Sequence, residues 1–370
     1  MFSGGLSNPM MPLYAATLTT SLFLIGMVVS GFWSIRIISE IPIGTISDYI
    51  GRKKPIVLGI LFSVLGAVMV AIVDNIFLII LGQAIRGAGM SAFFCVSLAT
   101  ISEFVPPQSR GKAMGVLQSI EFIGSTLGES LGGYVTSWLG YKGLFWACAA
   151  IASIALALSL RLRTPDKNTK GNPLAMLKQS FQKLPAMRNK TMIAICSIIL
   201  IMMIKDSGFI MTTIPLYVNF YLNMPLTDLS LIMASRSAGL AIGAVSGGWL
   251  SDRIGRAKVL TIGLILSALS ILSMSTASML IFLALLMCIE GIGMGYVQST
   301  IPVLVTDMFP SIRGLSIGLY RTFFDLGGFT GPFVVTTIVG SFGYTIAFYA
   351  MAGLMLLNLI ISISVKTKTT

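Results

Sequence analysis

Residues 44–54 read GTISDYIGRKK and residues 248–258 read GWLSDRIGRAK. The second stretch repeats the first 204 residues on, so that Asp48 answers to Asp252, Gly51 to Gly255 and Arg52 to Arg256. Each is a knot of charge between long apolar runs, in a chain of 370 residues of which only 10% are charged. Other landmarks keep the offset to within one residue. PLY at Pro12 returns at Pro215, IRGAGM at Ile85 returns as IEGIGM at Ile289, Glu103 maps to Asp307, Pro106 to Pro310, and Gly115 and Gly124 to Gly318 and Gly327. The chain reads as two copies of one unit.

Composition says what that unit is. With 55% hydrophobic residues and a mean hydropathy of +0.91, the profile is that of an all-α polytopic membrane protein. A spanning helix needs about 20 apolar residues. Runs of that kind fall at 1–16, 19–47, 55–73, 76–104, 111–138, 143–161, 191–217, 227–251, 258–275, 279–308, 313–339 and 343–365. The alternation of a membrane β-barrel is absent. The expected domains are a six-helix bundle at 1–161, a basic linker at 162–190 and a second six-helix bundle at 191–370. The linker stretch PLAMLKQSFQKLPAMRNK, residues 173–190, has apolar and basic residues at helical spacing and suits the inner leaflet, as a tether between halves.

Charge sets the orientation. The breaks after segments 2, 4, 6, 8 and 10, with the tail, hold 19 of the 25 Lys and Arg residues, eight of them from Arg161 to Lys190; the opposite breaks hold only Lys142. By the positive-inside rule the quoted motif, the linker and the C-terminus are cytoplasmic. The net charge of +12 is thereby explained by the membrane surface and not by nucleic acid. If Pro12 matches Pro215, a full first segment would begin about 12 residues upstream of Met1, so the first helix is expected to be incomplete at its N-terminus.

These matches resemble the major facilitator superfamily. Its signature between helices 2 and 3, G-x-x-x-D-x-x-G-R-[KR], is filled by Gly44, Asp48, Gly51, Arg52 and Lys53. A second signature, associated with drug and proton antiporters, is met on segment 5 by Gly115, Gly124, Gly128 and Gly132, with Glu129 where that pattern has proline. Segment 11 carries an analogue at Gly318, Gly327 and Gly331 with Pro332 in place. Small residues four apart also let helices approach closely whatever is transported, and that packing role is the simpler account of them. Arg86 supplies the family's helix 4 arginine. The resemblance implies a cytoplasmic latch in which Asp48 meets the start of helix 11 and Arg52 meets Glu103, with Asp252, Arg256 and Asp307 as the counterpart.

An ionisable group inside a bilayer is a site candidate by default. Here these are Arg36, Glu40, Arg86, Glu121, Glu129, Lys205, Asp206, Arg236, Glu290, Arg321 and Asp325, and segments 3, 6, 9 and 12 have none. The resemblance makes those four segments the outer, lipid-facing helices. At about 1.5 Å per residue, Arg236 lies about 24 Å, Glu121 about 16 Å and Glu129 about 28 Å from the cytoplasmic ends, with Arg36, Arg321 and Asp325 at about 12 to 18 Å. Helices 5 and 8 face each other in the family, which suggests an Arg236–Glu129 pair; helices 2 and 11 likewise face. Arg36/Glu40 and Arg321/Asp325 are each spaced i, i+4 and can equally pair within one helix. Glu121 shares a face with Gly124, Gly128 and Gly132 and is expected on the stripe between the halves.

Proton-site candidates follow in the order Glu129, Glu121, Asp206, Glu290, with Arg86 as partner to such an acid. Trp33, Phe93, Phe94, Tyr217, Tyr296 and Phe324 are candidates for an apolar pocket wall. Cys95, Cys148, Cys196 and Cys288 lie in apolar runs without metal-ligand spacing and read as core residues. The chain has no histidine, which removes the commonest general base, and no phosphate-binding glycine loop; no cofactor, metal or enzymatic activity is expected. The expected protein is a monomeric transporter in the cytoplasmic membrane, moving a small organic molecule by alternating access with protons as coupling ion. Export is the leading reading; uptake of an organic anion through Arg36, Arg86, Arg236 and Arg321, or a membrane sensor on the same fold, are the alternatives.

Overall fold

The computed structural model describes residues 1–104, 110–162, 189–309 and 313–363. Helices account for nearly all of it: α1 (Phe2–Ser7), α2 (Met11–Leu18), α3 (Leu22–Ile50), α4 (Lys53–Ile72), α5 (Ile76–Phe104), α6 (Arg110–Leu160), α7 (Lys190–Met203), α8 (Leu226–Ile254), α9 (Arg256–Met274), α10 (Leu280–Met308) and α11 (Arg313–Ile363). α7 continues through wide π turns at Ile204–Thr213 and Tyr217–Tyr221, with a single α turn, Ile214–Leu216, between them. Among the described residues, nine helical stretches are long and apolar enough to cross a membrane. α6 and α11 each hold two spans in line, broken at Gly140 and Gly343. With the shorter α1–α2 at the start, the order is that of the twelve expected segments. Helices suit this setting because each span satisfies its own backbone hydrogen bonds in a medium that offers none. Where a turn is needed at an end, polar side chains cap it: Ser21 Oγ accepts from Leu24 N–H, and Asn189 Oδ1 accepts from Met192 N–H at 2.7 Å.

The glycines with left-handed backbone among the described residues fall into two pseudo-symmetric pairs. Gly51 (φ 84°, ψ 165°) ends α3 and Gly255 (φ 95°, ψ 145°) ends α8, while Gly140 (φ 70°, ψ 176°) and Gly343 (φ 82°, ψ 173°) divide α6 and α11. That region is open essentially to glycine alone. No atom lies within 4 Å of where a Cβ would stand at Gly140 or Gly343. Gly140→Ala and Gly343→Ala therefore test backbone strain without steric clash. Each is expected to cost about 1–3 kcal/mol, read as a lower thermal unfolding midpoint in detergent.

Within one half α3 and α4 pack on α5; within the other α8 and α9 pack on α10, and α7 packs on α11. The seam between halves is made by α3 on α11 and by α6 on α8. Close approach depends on small residues: a Cβ at Gly239 would meet the carbonyl of Cys288, and one at Gly291 would meet that of Arg236. The charge-free segments turn apolar side chains outward, as with Leu58 and Phe62 on α4, Leu269 on α9, and Ile154 and Ile360 on the last arms of α6 and α11. Charged segments do the same, as with Ile38 on α3 and Val245 on α8, so outward exposure does not single these four out. All four cysteines are free, Cys148 and Cys196 buried and Cys95 and Cys288 half-buried, in keeping with packing roles. The linker from 163 to 188, including most of the stretch assigned to the inner leaflet, lies outside the described residues.

Candidate functional site

The wide turns after α7 bring two consecutive charged residues, Lys205 and Asp206, inside the bundle. A π turn rotates successive side chains away from the α register, and such turns cluster at functional sites. Here the hydroxyls of Thr212 and Thr213 donate to the carbonyls of Ser207 and Gly208, five residues back, at 2.7 and 2.9 Å. Around Lys205 and Asp206 a ring closes. Arg236 on α8 donates through Nε to Glu290 Oε2 on α10 at 2.7 Å and through Nη2 to Asp206 Oδ1. Lys205 Nζ donates to Glu290 Oε1 and lies 3.8 Å from Asp206 Oδ1, and Ser267 Oγ on α9 donates to Glu290 at 3.3 Å. Two cations and two anions balance, which is the condition for burying four ionised groups; Lys205 and Glu290 are fully buried. Lys205, expected as a candidate among the ionisable groups inside the bilayer but not as a proton site, completes the ring.

Glu129 on α6 is 3% exposed at the seam with α8. Ser237 Oγ from the facing half donates to its Oε2, and Ser125 Oγ donates to its Oε1 at 3.3 Å. The expected Arg236–Glu129 pair is not formed, because α7 and α10 present two carboxylates to the guanidinium and α6 only one. One turn along the same seam, Gly133 N–H donates to Ser230 Oγ at 2.6 Å. The glycine stripe needs a second correction. Gly128 and Gly132 pack on Phe2 and Leu6 of α1, in the same half, and Gly327 and Gly331 on Leu200 and Ile204 likewise, so these stripes lie within halves and not between them. Glu121 is accordingly not on an interdomain stripe. Pro332 lies inside α11, its carbonyl accepting from Thr336 Oγ at 2.8 Å. The surroundings of Gly115 are outside the described part.

The second seam carries another charge cluster. Arg36 on α3 donates through Nε to Asp325 Oδ1 on α11 at 3.1 Å and through Nη2 to Glu40 at 3.0 Å, while Arg321 Nη1 lies 3.9 Å from the same Glu40 oxygen. Arg36 thus pairs both within its helix and across the halves, whereas Arg321 reaches Glu40 across the seam. Ser30 Oγ donates to the Phe329 carbonyl at 2.7 Å further along the same contact. Asp325→Asn is expected to lower stability by about 1–3 kcal/mol, less than a full loss of a buried pair because Arg36 keeps Glu40; thermal unfolding in detergent checks this.

Arg86 is buried, yet the bonds it makes are to neutral groups: Nη1 to Gln83 at 2.7 Å and Nη2 to Ser7 Oγ at 2.6 Å, with the Phe145 ring 5.8 Å away. The acid expected beside it is not there among the described residues. At the ends expected to be cytoplasmic, Arg256 pairs with Asp307, while Asp252 is exposed. Arg52 is buried and donates to Ser47 Oγ. The side chains of Asp48 and Glu103 lie outside the described part, so the first latch is not placed.

Between the halves lies a cavity of about 370 Å³. Its walls include Val29, Trp33, Phe94, Phe122, Met211 and Phe324, and its charged lining residues are Arg36, Glu121, Asp206 and Arg321. Of the expected pocket aromatics, Trp33, Phe94 and Phe324 line it. Tyr217 instead stacks on Tyr221 and packs on Phe348, Tyr296 packs beside Gly247 and Gly263, and Phe93 lies beside Gly59. Asp206 belongs both to the cavity wall and to the buried ring, so the two are physically joined.

Paired helical halves closing on a central cavity with apolar walls and a few charged residues are the architecture of secondary transporters. The sequence profile of the Major Facilitator Superfamily matches residues 1–225 and 196–369, and the chain belongs to that family. It is 26% identical over 352 residues to the multidrug resistance protein MdtG of Proteus mirabilis, covering 93% of this chain and 84% of that one. It is 34% identical over 165 residues to the inner membrane transport protein YajR of Escherichia coli, a match spanning 44% of this chain and only 36% of YajR. An uncharacterized MFS-type transporter of Methanocaldococcus jannaschii is 23% identical over 368 residues, covering 99% of this chain and 93% of that one. A mutant of the nucleoside transporter NupG superposes with a TM-score of 0.81 at 16% identity, covering 99% of this chain and 96% of that one. A bacterial homolog of the human lysosomal transporter Spinster does so with 0.82 at 13%, covering 98% and 92%. These two likenesses speak to the fold.

Proposed function

We propose that this transporter exports small organic molecules in exchange for protons, by rocking residues 1–161 against residues 191–370 about the central cavity, with the basic linker at 162–190 on the cytoplasmic side. The observation that carries the reading is Glu129. It is a buried carboxylate on the seam whose bonding partners are serine hydroxyls, one of them from the opposite half. A carboxylate held by hydroxyls can exist in either protonation state, since a hydroxyl donates to the ionised form and accepts from the neutral one. Glu290, clasped by Lys205 and Arg236, is held ionised and suits a structural part. Protonation of Glu129 would alter the one contact that joins α6 to Ser237, and so bias the two positions of the halves. The likeness to a multidrug resistance protein supports export of organic compounds.

Everted vesicles containing the protein give the test. Acidifying the lumen is expected to drive accumulation of an exported fluorescent organic compound, abolished by a protonophore. Accumulation of an organic anion with protons in right-side-out vesicles, and none in everted ones, would establish uptake instead.

A further inference from the structure

We infer that Gln83 reads an acceptor oxygen on an uncharged aromatic solute in the cavity, its amide aimed by Arg86. This names the substrate class of the transport proposed above and rests on that reading. Arg86 is the starting point, a buried guanidinium that donates through Nη1 to Gln83 Oε1 at 2.7 Å and through Nη2 to Ser7 Oγ at 2.6 Å. A guanidinium has donors and no acceptor, so it fixes which end of the amide faces it. The oxygen is turned to Arg86, and Nε2, with its two hydrogens, is turned away. Gln83 belongs to the cavity wall and is only 4% exposed. Its Nε2 has no bond to any group among the described residues. A buried donor without a partner costs free energy that a ligand's acceptor recovers. The charge of Arg86, answered by no acid among the described residues, polarises the amide and strengthens that donor.

The surrounding wall selects what carries the acceptor. Gln83 lies against Gly31 of α3, where a Cβ would stand 3.4 Å from that of Gln83. Phe32 and Trp33 follow along α3 and line the cavity, as do Met11 and Met211, and such walls take a flat ring. The place is set apart from the end of the cavity at Met1, which lies against Gly124 on α6. The cavity's arginines do not compete for the oxygen, because Arg36 and Arg321 share Glu40 and Asp325 in a charge-balanced cluster. Asp206 is likewise bonded to Arg236 within the buried ring, so neither cluster offers a charge to the solute. An aromatic ketone, amide or lactone meets these terms, with a ring for Phe32 and Trp33, an oxygen for Gln83 and no net charge to bury.

The test compares xanthone with xanthene, the same three-ring frame with a methylene in place of the carbonyl. Binding to the purified protein is measured by equilibrium dialysis with detergent at one concentration on both sides, which cancels partition into micelles. Xanthone is expected to bind about ten-fold more tightly. Gln83→Glu puts a carboxylate against Arg86, keeps the size of the side chain and takes away both donor hydrogens. The preference is expected to vanish in it while xanthene still binds, which also reports a folded site; Gln83→Met gives the same comparison without added charge. Arg86→Met frees the amide to turn and is expected to cut the preference to about three-fold or less with xanthene binding unchanged, whereas an undiminished preference would overturn the role given to Arg86. Equal binding of the two ligands by the unaltered protein, or a preference kept in both Gln83 variants, would overturn the proposal. If neither ligand binds the unaltered protein while proton-driven transport of another solute persists, the assignment of Gln83 fails and the transporter reading stands. If the Gln83-dependent preference holds and no solute moves protons, the site stands and the exchange reading fails.

Discussion

Glu290→Gln is expected to destabilise the protein by about 3–5 kcal/mol, the largest single effect on folding of any change discussed. The carboxylate accepts from Lys205, Arg236 and Ser267, and removing its charge leaves two buried cations facing the single carboxylate of Asp206. A buried charge without compensation is what makes the loss large; the net worth of the intact ring is much smaller, since four groups gave up hydration to form it. The companion variant tests the explanation. Lys205→Met combined with Glu290→Gln removes one cation with one anion and leaves Arg236 paired with Asp206. The loss in the double variant should be smaller than the sum of the two single losses by about 1–3 kcal/mol, measured as a thermal-unfolding cycle in one detergent. Additive losses would mean that the four residues do not act as a charge-balanced unit.

Glu129→Gln is expected to abolish proton-driven accumulation, to the level of empty liposomes, while leaving exchange of labelled for unlabelled solute in place. The amide keeps the size of the carboxyl group and can still bond to Ser237 and Ser125, so the seam between α6 and α8 persists. What it cannot do is take up and release a proton. Loss of both activities would point to a packing role for Glu129, and retention of proton-driven accumulation would remove it from the coupling step.

Much of this architecture was legible in the sequence because the membrane simplifies the code. Apolar runs of fixed length, broken by polar turns, located the segments to within a few residues, and the repeat of Asp48, Gly51 and Arg52 at Asp252, Gly255 and Arg256 paired the halves. The charged residues themselves were equally plain, each being costly where it stands. Their partners were not. Arg236 was matched to Glu129 from facing helices, but the choice falls to Asp206 and Glu290 because π turns after α7 bring Asp206 and Lys205 inward, and nothing in the pattern of apolar residues announces a π turn. Glycine spacing told which residues share a face of α6, though not that α1, in the same half, covers it. For the aromatics, Trp33 and Tyr217 sit in similarly apolar runs, and only the packing sends one to the cavity and the other to a cluster with Tyr221 and Phe348.

The central claim is that solute and proton exchange in opposite directions through one cavity. It is tested most directly by recording internal pH and solute content together in proteoliposomes with no imposed pH gradient. Addition of an exported solute outside should drive solute inward and protons outward, at a constant ratio over a range of solute concentrations. Solute entry without any change of internal pH, or with protons moving in the same direction, would contradict it.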